Sequence, residues 1–150
     1  PQGAVNAIAD TPDVWVTGIS PVYETEPVDA PAGSEAFLNA VVLIDTTLAA
    51  NRLLDRAQAI EDAFDRERTD VRNAPRTLDV DLIVVGDRRS HEEHLQLPHP
   101  RAAERAFVLK PWFDLEPDAS IPDFGPIADL LAATGVDGLT LREDLTLELE

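Results

Sequence analysis

The chain has 150 residues, 44% of them hydrophobic, which suffices for one buried core and is too short for two comparable domains. A formal charge of -17 opposes a nucleic acid or an anionic membrane as partner through long-range repulsion, and the absence of Cys excludes disulfides and thiolate metal sites. No apolar run reaches the length of a membrane span, and Pro1 to Asp10 lack the charged-then-apolar order of a secretory signal, so a soluble, cytoplasmic protein is expected.

In chain order, apolar residues at Ala4, Val5, Ile8 and Ala9 have helical spacing, and Thr11-Pro12 ends the run. The chain opens in the middle of this pattern at Pro1, so a further segment is expected upstream. Val14 to Tyr23 is rich in β-branched and aromatic residues and predicts a strand, with Pro21 marking an edge or an end. Glu24 to Glu35 reads as a loop whose length is more often functional than that of a plain turn. Phe37 to Thr46 is a nearly continuous apolar run, as in a strand covered on both faces, and Thr47 is placed to cap the next element. From Ala49 to about Arg66, the residues Leu53, Ala57, Ile60 and Phe64 line one face of an amphipathic helix.

Glu67 to Arg76 reads as a polar loop, and Leu78 to Val85 as a strand ended by Gly86-Asp87. Leu97-Pro98-His99-Pro100 restricts the backbone ahead of a short helical stretch at Arg101 to Arg105, and Phe107 to Phe113 is apolar enough to pack. The final twelve residues alternate Leu with polar groups and predict a terminal strand or hairpin. Helix, strand, strand, helix, strand is an α+β order. A ferredoxin-like sandwich with an antiparallel sheet fits it if one strand precedes Pro1.

Asp79 and Asp81 stand two apart on the predicted strand, so their carboxylates project from one face, about 6–7 Å apart at their bases. Magnesium prefers hard oxygen ligands and is typically held by one or two carboxylates together with substrate phosphates. The plainer alternative is the polar face of a half-exposed strand. The context favours chemistry, because Arg66, Arg68, Arg72 and Arg76, four of the twelve Lys and Arg residues, precede the pair and offer cations for phosphate oxygens. Asn39 is an amide inside an apolar run and must find partners or cost about 1–3 kcal/mol, which leaves an internal hydrogen bond and ligand recognition equally open. Phe37 shares its face and can stack on a flat ring or simply join the core. His99, held between two prolines, is either a ligand contact or a surface loop residue, and His91 and His94 lack the third ligand and spacing of a zinc site.

The segment Pro75-Arg76-Thr77-Leu78-Asp79-Val80-Asp81-Leu82-Ile83 resembles the PRTLDLDI signature of the 6-hydroxymethyl-7,8-dihydropterin pyrophosphokinases of folate synthesis. SPVYETEPV at Ser20 to Val28, FLNAVV at Phe37 to Val42, LPHPR at Leu97 to Arg101 and ERAFVLKP at Glu104 to Pro111 resemble further blocks of that family, in the same order. The resemblance implies a single pyrophosphokinase domain over residues 1–150, with ATP and a pterin alcohol as substrates and two Mg2+ ions held by Asp79 and Asp81. It implies that Arg66 and Arg76 neutralise charge on the transferring group, helped by Arg68. It assigns Thr25, Val28, Phe37, Asn39 and Phe107 to the pterin pocket, and Gln58, Glu61, Leu82, His99 and Arg105 to ATP. Departures accompany it: Asn73-Ala74 replaces a Trp-Gly pair, Asp65 and Thr69 replace a Gly and a basic residue, and the family's first strand and LGSN turn would lie before Pro1. Two alternatives remain open, a ferredoxin-like small-molecule-binding or regulatory module that has lost catalysis, and one part of a longer folate-pathway polypeptide.

Overall fold

The computed structural model describes residues 2–26, 36–69 and 78–149, with the backbone alone for 67–69. Helix α1 (Gln2–Ala9) leads into β1 (Val14–Ile19) and β2 (Tyr23–Thr25), followed by β3 (Phe37–Asn39), β4 (Val42–Thr46) and helix α2 (Ala50–Thr69). A hairpin of β5 (Ser90–Glu92) and β6 (Leu95–Leu97) and a 3-10 turn (Ala102–Glu104) precede helix α3 (Ala106–Leu115). Then come β7 (Ser120–Ile121), β8 (Gly125–Pro126), helix α4 (Ile127–Thr134) and β9 (Leu139–Leu141). Every ladder among the described residues is antiparallel: β1 with β4, β2 between β3 and β9, β5 with β6, and β7 with β8. The fold is α+β.

Both long runs expected as single strands are broken opposite one another. Pro21 has no ladder donor, and beside it Ser20 bonds Val41 twice, through its backbone N–H to the Val41 carbonyl at 2.9 Å and through its hydroxyl, which accepts the Val41 N–H at 2.8 Å. The chain thus leaves the β1–β4 pair and enters the β3–β2–β9 sheet on both strands together. The run from Phe37 to Thr46 is not covered on both faces: its residues are half-buried, and Phe37 is 56% exposed. Before α2, the hydroxyl that caps the turn belongs to Thr46 rather than Thr47, accepting the Leu48 N–H at 3.0 Å.

Along α2 the expected stripe packs inward, with Leu53, Ala57 and Ile60 buried. Phe64 continues it against α1, where a Cβ on Gly3 would lie 3.0 Å from the Phe64 ring, so a side chain there would require the ring to shift by a few tenths of an ångström. The helix runs on to Thr69, into what the sequence reads as loop. The larger core joins the 3-10 turn, α3, β7 and α4 through Ala102, Val108, Leu109, Trp112, Ile121 and Ile127, and the smaller one joins Ala50 to Leu95 and Leu97. Three elements escaped the sequence reading: the β5–β6 hairpin, the β7–β8 pair, and α4, which Gly135 ends at a φ of 76°. The terminal strand is found as β9, paired to β2, while Glu148 farther on bonds the Gln2 side chain at 2.9 Å.

Leu78 to Val85 departs most from expectation. Its exposure alternates through Leu82, with Asp79 and Asp81 outward, yet it forms no ladder with any described residue. It is held instead by side chains, Ile83 and Val84 entering the larger core and Leu82 and Val85 the smaller. Because Leu109 sits inside the larger core with 0% exposure, Leu109→Ala is expected to cost about 2–5 kcal/mol, read as a shift in urea midpoint at constant m-value.

Candidate functional site

Among the described residues the acidic segment is fixed to α2 by one polar contact: Glu61 accepts the Val80 backbone N–H at 2.6 Å, with Val80 lying between the two aspartates. Burial raises the Glu61 carboxyl above its ordinary range, and the charges of Asp79, Asp81 and Asp65 push it the same way against the opposing Val80 hydrogen bond. Four carboxylates, those of Glu61, Asp65, Asp79 and Asp81, therefore share one field beside this segment. A cation there would relieve their repulsion, and among the described residues no set of three acidic or histidine side chains closes into a metal cage of its own. An open pair of this kind suits a hard divalent ion completed by substrate oxygens and water.

Asp81 also lines a cleft of about 250 Å³ between α2 and the β5–β6 hairpin, with Leu54, Leu82, Gln96 and His99 among its walls. His99 is tied to the acidic segment by its backbone N–H, which donates to the Ile83 carbonyl at 2.8 Å. Its Nδ1 accepts the Arg101 N–H at 3.2 Å, which leaves the Nε2 proton to donate outward from a neutral ring. Burial lowers the His99 pKa, and the Arg105 and Arg101 charges add to this against the opposing pull of Asp81.

A second group lies on the β2–β3 ladder, where Thr25 faces Phe37 and Tyr23 faces Asn39. The Asn39 Nδ2 donates to the Thr25 hydroxyl at 3.1 Å and lies 3.4 Å from the carbonyls of Tyr23 and Phe37, so the internal bond foreseen for this amide is made. Its Oδ1 accepts from no described residue. Phe107 begins α3 half-buried against the larger core, and the Arg105 guanidinium sits 5.4 Å from its ring centroid.

The structure thus brings Asp81, Leu82 and His99 to the cleft, with Glu61 bonded to Val80 in its wall and Asp79 next to Val80 in the chain, and places Thr25, Phe37 and Asn39 on the ladder. Gln58 faces out on α2 and donates to Asp62 at 3.2 Å, while Arg66 lies exposed nearer the end of that helix. Val28, Arg72 and Arg76 lie outside the described residues, as does the Arg68 side chain. Sequence reasoning missed Glu93, His94 and Gln96, which line the cleft from the hairpin, because three-residue strands carry too little periodicity to register.

The description 7,8-dihydro-6-hydroxymethylpterin-pyrophosphokinase belongs to the family model that matches residues 2–117. A 2-amino-4-hydroxy-6-hydroxymethyldihydropteridine pyrophosphokinase of Pseudomonas aeruginosa is 40% identical over 138 residues, spanning 92% of this chain and 84% of that protein. The protein of the same name in Methylorubrum extorquens is 40% identical over 119 residues, spanning 79% of this chain and 74% of its own length. The bifunctional protein FolKE of Lactococcus lactis is 35% identical over 112 residues, 75% of this chain and 32% of that protein. An α+β scaffold with these matches is a group-transferring enzyme. The chain belongs to the 7,8-dihydro-6-hydroxymethylpterin-pyrophosphokinase family.

Because folding lowers the His99 pKa, the unfolded chain takes up this proton more readily, and the associated stability is present above the ordinary value of 6.5 and lost as pH falls below it. His99→Asn is expected to lose less Tm than the wild type between neutral pH and mild acid, as followed by circular dichroism.

Proposed function

We propose that the chain transfers a diphosphate group from ATP to the hydroxymethyl oxygen of 6-hydroxymethyl-7,8-dihydropterin, with release of AMP, as one pyrophosphokinase domain over residues 1–150. The observation that carries this reading is the convergence of Asp79 and Asp81 on the field of Glu61, with Asp81 in the wall of a histidine-bearing cleft.

Asp79 and Asp81 would hold two Mg2+ ions, which when bound supply charge neutralisation along the phosphates and lower the cost of the attacking alkoxide. Glu61 holds Val80, and with it the orientation of both carboxylates. His99 offers its Nε2–H to the nucleotide, alongside Leu82, Gln58 and Arg105. Arg66 and Arg76 offset charge on the transferring group, with Arg68 as a helper. The pterin alcohol lies against Phe37 and Phe107, where Val28, Thr25 and the Asn39 oxygen, which accepts from no described residue, complete its edge.

In the transfer, the hydroxymethyl oxygen forms a bond to the β-phosphorus as the bond from that phosphorus to the α-bridging oxygen breaks, so AMP carries away the electron pair. Positioning and electrostatics supply the acceleration, and no protein nucleophile is required. Exclusion of water keeps ATP from hydrolysis.

No helix among the described residues is long and apolar enough to cross a membrane, and small polar substrates of this kind accord with a cytoplasmic enzyme. The match to a protein named bifunctional supports a place within a longer folate-pathway polypeptide.

The test is AMP formation from MgATP with and without the pterin alcohol. Asp81→Ala is expected to lower kcat on the order of 10²- to 10³-fold with an unchanged circular dichroism spectrum. A wild-type chain that releases no AMP in response to the pterin alcohol overturns the reading.

A further inference from the structure

The two walls of the proposed pterin site stand on separate elements, Phe37 and Asn39 on β3 and Phe107 at the start of α3. Their spacing therefore depends on how α3 is seated on the sheet, against β2 and β3. By helical period Phe107, Lys110 and Asp114 share one face of α3. Asp114 accepts a hydrogen bond from the Tyr23 hydroxyl through Oδ2, and its Oδ1 receives the Lys110 ammonium at 2.8 Å.

Tyr23 is only 6% exposed and lies directly across the ladder from Asn39. Its carbonyl lies 3.4 Å from the Asn39 Nδ2, which also donates to Thr25 at 3.1 Å. Packing alone would be met by Phe at this position, whereas a buried phenol needs a partner and finds a charged one on the helix that carries Phe107. Burial, then the Asp114 hydrogen bond and charge, raise the Tyr23 pKa, so the hydroxyl remains a donor across the working pH range.

We infer that the Tyr23–Asp114 hydrogen bond, with Lys110 as counter-ion, is a positioning strap that sets the distance between the Asn39 wall and the Phe107 wall. Tyr23 and Asp114 then govern affinity for the flat heterocycle and leave the nucleotide cleft, which is walled by α2 and the β5–β6 hairpin and not by α3, unaffected. The inference rests on the proposed pterin site.

The experiment measures AMP release by the full chain while the pterin alcohol and MgATP are varied separately, for wild type, Tyr23→Phe, Asp114→Ala and the double variant. The KM for the pterin alcohol is expected to rise on the order of 10-fold in each, the size of one hydrogen bond to a charged group, while the KM for MgATP shifts less than about 2-fold. The double variant should be no worse than the poorer single one, because both lesions cut the same strap. Asp114→Asn keeps a carbonyl acceptor and should restore the pterin KM to within about 3-fold of wild type. An unchanged pterin KM, equal rises in both KM values, additive effects, or no recovery in Asp114→Asn would each overturn the strap. These outcomes presuppose an active wild type, whereas a wild type without pterin-dependent AMP release defeats the proposed function itself.

Discussion

The hydrogen bond from the Val80 N–H to Glu61 is the contact on which the acidic site depends. Leu78 to Val85 has no ladder with any described residue to hold its register, so the direction of Asp79 and Asp81 is set by side-chain contacts. Glu61 pins the segment at its middle, and the His99 N–H pins it again at Ile83. Apolar anchoring does the rest, with Leu82 and Val85 in the smaller core and Ile83 and Val84 in the larger. Glu61 resists ionisation chiefly because it is partly buried, and the charges of Asp79, Asp81 and Asp65 add to that cost. That cost is stored where a divalent cation would discharge it.

The same economy of contacts governs the ladder side. Strands β2 and β3 are three residues each, too short to be rigid by backbone bonding alone. They are bracketed on one flank by β9, where Arg142 reaches Glu24 at 2.8 Å, and packed on a face by α3 through Tyr23 and Asp114. Asn39 sits at the centre of this bracket with its amide nitrogen used and its carbonyl oxygen unclaimed by described residues. Of the two readings that the sequence left open for this amide, the internal hydrogen bond is made, and ligand recognition by its oxygen belongs to the proposed function.

Periodic elements were the most legible. The stripe of Leu53, Ala57 and Ile60 located α2, because an apolar face repeated over 20 residues has one physical explanation. The alternation in Leu78 to Leu82 correctly turned Asp79 and Asp81 outward, although the strand expected there is not formed among the described residues. The hairpin from Ser90 to Leu97 was illegible, and with it the cleft wall of Glu93, His94 and Gln96, since short polar strands lack a pattern of their own.

Residue order by itself determined the α+β class, the acidic pair on one face, and a family signature dense enough to name the chemistry, because these depend on spacing and identity along the chain. Only the tertiary structure decided that Ser20 and Val41 break two strands together, that Glu61 meets Val80, and that Tyr23 reaches Asp114. Those contacts join residues far apart in sequence, and no local periodicity encodes which distant polar groups burial will force to pair.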